Sequence, residues 1–182
     1  TMPTPAAPII GAKSYLVIDS KTGHEIAALD ADASLAPASL TKIMTTYVVF
    51  SALKQGQITL DEEVTISEKA WRTEGSRMFI EVGTRVTIEE LVLGMIVQSG
   101  NDASVALAEH IAGSESAFAD MMNQHAKKLG LKDTHYVNST GLPAEGHVTT
   151  AWDLAMLSKA MINEHPASYA IYSERSFRFN NI

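Results

Sequence analysis

Ala38-Ser39-Leu40-Thr41-Lys42-Ile43-Met44-Thr45 places a serine three residues ahead of a lysine at the start of an apolar pattern. Leu40, Ile43, Met44 and Val48 recur at helix spacing until Gln55-Gly56 stops the run. Residues three apart on a helix share a face, with Cβ atoms roughly 5–6 Å apart, so the Lys42 amine can reach the Ser39 hydroxyl. A serine hydroxyl is a weak nucleophile until a base takes its proton. Lysine can be that base only when neutral. Its ordinary pKa is about 10.4, and bringing it to about 7.5 requires roughly 4 kcal/mol of environmental bias. Burial and the positive end of a helix both push that way, and Ser39 directly follows Pro37-Ala38 at such an end. Taken alone, Ser39 reads at least as well as a helix N-cap. With 16 Ser and 9 Lys among 182 residues, chance provides roughly one Ser-x-x-Lys. A second, Ser51-Ala52-Leu53-Lys54, indeed ends the same pattern. There the dipole favours a charged ammonium, and the pair reads as an ordinary solvated helix end.

Upstream, residues 14–19 and 24–29 read as two short strands around a tight turn holding Lys21-Thr22-Gly23. In that turn Gly takes the positive-φ position, while Lys and Thr occupy the rim. Residues 1–12 are Pro- and Ala-rich and read as a leader segment, with 13–182 the folded part. Downstream, residues 58–85 are mixed, with a short helix predicted at 68–71 and a turn at Gly75. Thr87-Ile88-Glu89-Glu90 has the form of a capping box opening an apolar helix over 91–97. Ser99-Gly100-Asn101-Asp102 interrupts, and helix resumes over 103–111. Further helices are predicted at 116–129 and 150–163, separated by a turn-rich stretch over 135–149, and residues 176–179 alternate like a strand. The pattern holds about six helices and three short strands, too few neighbouring strands for an independent sheet. The chain is therefore expected to continue beyond Ile182, this being its N-terminal portion.

Ser99-Gly100-Asn101 is the second candidate for chemistry. Ser99 can relay a proton, and the Asn101 amide can both donate and accept hydrogen bonds to a substrate amide. The residues alone favour a helix junction capped by Ser99 or Asn101. Six histidines, His24, His110, His125, His135, His147 and His165, lack metal-ligand spacing, so neither a metal nor another cofactor is expected. No Gly-x-Ser-x-Gly elbow is present. Zero cysteines exclude disulfides and a thiol nucleophile. Met44, Met95, Met121, Met156 and Met161 read as core filler. A net charge of −7 argues against nucleic acid as partner, and no run reaches the roughly 18 apolar residues of a membrane span.

Together, Ala38-Ser39-Leu40-Thr41-Lys42-Ile43-Met44-Thr45 and Gln98-Ser99-Gly100-Asn101-Asp102-Ala103 resemble the motifs of the low-molecular-mass penicillin-binding proteins, specifically the D-alanyl-D-alanine carboxypeptidases. Ser76-Arg77-Met78-Phe79 and the stretch 90–94 resemble that family's approach to its second motif. Asn138-Ser139-Thr140-Gly141-Leu142-Pro143 is similar to its active-site-rim loop, and Phe177-Arg178-Phe179-Asn180-Asn181 to the strand leading toward its third motif. The resemblance covers residues 13–182. It implies an α/β protein of the serine β-lactamase-like transpeptidase fold, sheet strands plus an all-helical lobe, with the C-terminal strands outside this chain. It implies a serine acyl-enzyme hydrolase acting on peptidoglycan stem peptides ending in D-Ala-D-Ala, with β-lactams as covalent inhibitors. Ser39 would be the nucleophile, Lys42 the general base and Ser99 the proton relay. Asn101 would position substrate, with Thr140 and Gly141 binding it beside Ser99 and Asn101. The location implied is extracytoplasmic, in the periplasm at the outer face of the inner membrane. A leader peptide would have been removed, and any membrane attachment would come through a C-terminal anchor.

Nothing after Asn101 matches the family's third motif, Lys-Thr-Gly or a relative. Lys21-Thr22-Gly23 has the letters in the wrong order and in a hairpin, which puts activity of the 182 residues alone in question. Three rivals stand beside the carboxypeptidase reading. They are a muropeptide endopeptidase of the same fold, a non-catalytic cell-wall-binding relative, and a class A β-lactamase, the last weakened by Gly100 where Asp is usual.

Overall fold

The computed structural model describes residues 6–181, so the first five residues of the 1–12 segment lie outside it. Residues 6–13 form no helix or strand and are exposed. Helix α1, Thr41–Lys54, runs through the middle of the molecule and buries Thr41, Lys42, Met44, Thr45, Thr46, Tyr47, Val48, Val49, Phe50, Ser51 and Ala52. A helix buried on every side is a core element rather than a surface one. The pattern that predicted it implied a single apolar face, yet Leu40 is 53% exposed and Ile43 only partly buried, while Thr41, Thr45 and Thr46 are fully buried. Hydroxyls tolerate that burial when a carbonyl accepts their proton. Thr46 Oγ1 donates to Lys42 O at 2.7 Å and Thr45 Oγ1 to Ser139 O at 2.7 Å.

Four helices pack around α1: α3 (Ile88–Val97), α4 (Asn101–Ala112), α5 (Glu115–Lys128) and α6 (Ala151–Glu164). They share with it a core of Met44, Phe50, Leu91, Met95, Leu107, Phe118, Met122 and Leu157. The capping box is present as predicted: Glu90 N donates to Thr87 Oγ1 at 3.2 Å and Thr87 N to Glu90 Oε2 at 3.1 Å. It starts α3 three residues ahead of the apolar run, because Thr87 is the cap. Ser114 and Thr150 cap α5 and α6 by a single bond each, their hydroxyls accepting from Ala117 N and Asp153 N. The short helix α7, Pro166–Tyr169, and the tight turn Ala170–Ser173 after it were not foreseen.

Strands β1 (Tyr15–Ile18) and β2 (Glu25–Leu29) pair antiparallel in the register Tyr15↔Leu29, as expected. Their turn is built on Asp19, whose Oδ1 accepts from Lys21 N, Thr22 N and Thr22 Oγ1, with Gly23 at φ +78°. Lys21-Thr22-Gly23 is thus a turn and nothing more. A second pair, β3 (Glu63–Thr65) with β4 (Arg85–Thr87), brackets the short helix α2 (Glu68–Arg72). At three residues each, these strands are too short for alternation to register in the sequence. The expected strand at 176–179 is a correction: Phe177 is partly buried, Arg178 exposed and Phe179 buried, but no ladder forms there among the described residues. Alternation alone does not make a strand; a hydrogen-bonded neighbour does.

Candidate active site

The site forms where the chain enters α1. Ala38–Leu40 is a single tight turn leading into the helix, and Ala38 holds φ +47°. Gly141, at φ +85°, lies against this turn so closely that a Cβ there would stand 1.8 Å from Ala38 O and 2.9 Å from Thr41 Oγ1. No residue but glycine fits. The Ser39 hydroxyl makes no capping bond among the described residues, so the N-cap reading is set aside: it is exposed, and the hydrogen-bond neighbour it has there is Lys42 Nζ at 3.4 Å.

Lys42 lies one turn deeper and is 6% exposed. Its Nζ also donates to Asn101 Oδ1 at 2.7 Å and to Thr140 O at 2.9 Å. The amide orientation of Asn101 is set by its own network, because Nδ2 donates to Glu74 O at 2.7 Å and so turns Oδ1 toward the lysine. No carboxylate pairs with Lys42 among the described residues, and burial pulls its pKa down to about 8. Asn101 Oδ1 and Thr140 O can only accept, so once the ammonium loses a proton they hold its two remaining N–H groups. The lone pair is left facing Ser39, the one partner of the three that can donate. This is the geometry a neutral-amine base requires.

Asn101 begins α4, its backbone N–H donating to Ser76 O at 2.7 Å. The preceding Ser99 is left-handed at φ +56° and partly buried, and its hydroxyl bonds no described residue. The fold therefore links Ser39, Asn101 and Thr140 to Lys42 by hydrogen bonds, sets Gly141 against Ala38 and Thr41, and gives the Ser99 hydroxyl no bond among the described residues. A backbone outlier of this kind costs of order 1–3 kcal/mol and marks a segment held by its surroundings.

Three residues that sequence reasoning missed hold the site together. Asn138 Oδ1 accepts from Thr140 N at 3.2 Å and Gly141 N at 2.8 Å, forming the loop that Lys42 and Ala38 contact. An Asn three residues before a Gly is a turn signal that could have found it. His147 is buried; its Nδ1 accepts from Val137 N at 2.9 Å, so Nε2 carries the proton donated to Thr41 Oγ1 at 2.7 Å. Burial, then the neighbouring His135, pushes its pKa below the usual imidazole value. Asp102 is buried with its carboxylate accepting from Met78 N, Phe79 N, Ile80 N and Ala103 N at 2.9–3.2 Å. No local sequence signal reports either contact, since the partners lie 106 and up to 24 residues away.

Helices and small paired-strand sheets around an exposed serine and the buried lysine one turn beyond it define the penicillin-binding protein architecture. The chain superposes on penicillin-binding protein 5 of Haemophilus influenzae with a TM-score of 0.95 at 42% identity, over 98% of this chain and 53% of that one. On penicillin-binding protein 6B of Escherichia coli the TM-score is 0.92 at 44% identity, over 98% and 58%. The chain belongs to the D-alanyl-D-alanine carboxypeptidase family, whose profile matches residues 1–182. It is 45% identical to the D-alanyl-D-alanine carboxypeptidase DacC of Escherichia coli (strain K12) over 98% of this chain and 46% of that relative. The chain spans about half the length of the curated relatives it matches. The fold class and the family expected from the two motifs are thereby established.

Proposed function

We propose that the protein containing this chain is a serine-type D-Ala-D-Ala carboxypeptidase that removes the terminal D-alanine from peptidoglycan stem peptides and is acylated by β-lactams. The observation that carries this is Lys42: buried, without a carboxylate partner among the described residues, its two acceptor-only neighbours leaving the lone pair to Ser39. Lys42 takes the Ser39 proton as Oγ bonds to the carbonyl carbon. The Ser39 backbone N–H, which has no backbone acceptor outside its own turn among the described residues, would serve as one donor to the developing oxyanion; losing one such donor typically costs 10²–10³ in rate. The C–N bond then breaks, and a proton passes by way of Ser99 to the departing amine of D-alanine. Water, deprotonated by Lys42, hydrolyses the ester and frees Ser39. Asn101 holds the acyl portion of the peptide, with Thr140 and Gly141 at the rim. Residues 13–182 would be the N-terminal portion of the peptidase domain, and a peptidoglycan substrate places the protein outside the cytoplasm.

Intact-mass measurement of the full-length protein after incubation with penicillin tests this. One covalent adduct that disappears in Ser39→Ala is expected. No adduct, or one that survives the substitution, overturns the catalytic reading in favour of a non-catalytic wall-binding protein. Release of D-alanine from a defined pentapeptide, with a cross-linked dimer left intact, is the carboxypeptidase outcome. Cleavage of the dimer alone makes the protein an endopeptidase.

A further inference from the structure

Beside Asn101, the backbone projects an aromatic ring outward under constraint. Phe79 has φ +65°, a conformation that bulky L residues rarely adopt. It is 52% exposed between Met78 and Ile80, which are buried in the core. The three consecutive N–H groups of Met78, Phe79 and Ile80 all point at Asp102, the residue after Asn101. A buried carboxylate thus fixes this segment in a shape that turns an apolar ring to solvent. The Arg77 guanidinium lies over that ring, 5.5 Å from its centroid, and makes no ion pair among the described residues. Next to it opens a cleft of about 380 Å³ lined by Trp71, Arg72, Glu74, Gly75 and Arg77. Gly75 in its lining lies against Asn101: a Cβ there would stand 2.6 Å from Asn101 Nδ2. Arg72 is engaged by Glu68 at 2.7 Å. That leaves Arg77 as the cation without a carboxylate, set against Glu74 in the same cleft.

Resting on the carboxypeptidase reading above, we propose that Arg77 on the Phe79 ring, together with this cleft, is a subsite for a carboxylate on the acyl portion of the peptide substrate. The placement follows from Asn101: it holds the acyl portion, and its Nδ2 donates to Glu74 O and packs against Gly75, two of the residues that line the cleft. A stacked guanidinium keeps its in-plane N–H donors free, and these match a carboxylate in paired geometry. Trp71, 40% exposed, supplies an apolar side wall. Asp102 is then a positioning residue, fixing the direction of the ring and hence of the arginine above it.

The test uses the full-length protein and two synthetic peptides ending in D-alanyl-D-alanine. They are identical except that the preceding side chain ends in a carboxylate in one and a carboxamide in the other. Wild type is expected to favour the carboxylate about tenfold in kcat/KM, Arg77→Gln to bring the ratio near one, and Arg77→Lys to recover part of it. No preference in wild type, or a ratio preserved in Arg77→Gln, overturns the subsite. A second variant separates function from packing. Asn accepts the left-handed conformation, so Phe79→Asn is expected to hold or raise the unfolding midpoint while lowering kcat/KM at least fivefold on the carboxylate peptide. A lowered midpoint with kcat/KM kept would make Phe79 a packing residue and overturn the platform. Penicillin on the same preparation distinguishes the two levels. A Ser39 adduct with no charge preference sinks only the subsite; no adduct sinks the carboxypeptidase reading and the subsite with it.

Discussion

Helix α1 and the turn leading into it carry the same Ser-x-x-Lys spacing twice, at Ser39–Lys42 and at Ser51–Lys54, and the fold treats the two pairs oppositely. Lys42 is enclosed by Asn101 and Thr140, and burial alone draws its pKa down to about 8. Lys54 extends into solvent and donates to Glu164 O at 3.1 Å. Ser51 is buried, contrary to the solvated end expected of it, and spends its proton on Tyr47 O at 2.8 Å, with His165 Nε2 3.4 Å away. The two ends of one helix show that i,i+3 spacing makes contact possible without making a base. A base requires that solvent be removed from the lysine and that no carboxylate replace it.

The largest expected effects break this contrast at the chemistry. Lys42→Met is expected to slow acylation by penicillin by about 10²–10⁴, the usual worth of a positioned base, whereas Lys54→Met changes it less than about twofold; rapid-quench mass measurement of the adduct reads both. In the parent protein the acylation rate is expected to climb with pH through a midpoint near 8 as Lys42 loses its proton.

Stability carries the same signature with a smaller amplitude. Lys42 is lowered from 10.5 to about 8 on folding. Below pH 8 both states hold the proton and the fold bears the full cost of the buried charge. Between 8 and 10.5 the folded state releases it first, so stability rises with pH, and above 10.5 the penalty is gone. Urea unfolding is expected to show the parent gaining about 3 kcal/mol on Lys42→Met across that window, at 1.36 kcal/mol per pH unit. A flat difference would mean that the ammonium is as well solvated as Lys54.

Removing one polar atom at each end sharpens the comparison further. Thr41→Val strands the buried His147 Nε2–H and is expected to cost about 1–3 kcal/mol. Tyr47→Phe, which removes a 2.7 Å bond to the exposed Glu164, is expected to cost at most about 1 kcal/mol. Lys54→Ala closes the series at under about 0.5 kcal/mol, as for a solvated helix end.

Much of the arrangement was legible in the residues themselves. The capping box at Thr87, the Asp19 turn around Lys21-Thr22-Gly23, the β1–β2 hairpin and the two motifs are short-range patterns, and each forms where the letters place it. The elements that escaped notice depend on distant partners. The strands β3 and β4 are recognisable only once paired, residues 176–179 lack the neighbour that would make them a strand, and α1 proves buried on all sides because four helices close around it. The roles of His147 and Asp102 escaped for the same reason, since an imidazole or carboxylate reads as a solvated group until distant partners converge on it, whereas Asn138 acts on its own turn.

By itself, the sequence determined which side chains stand one helical turn apart, which family the motifs belong to and where helices begin, because these follow from local spacing, capping and turn chemistry. Only the tertiary structure decided which of two like-spaced lysines is stripped of solvent. Desolvation is a property of everything packed around a group, and the chain written as a line does not contain it.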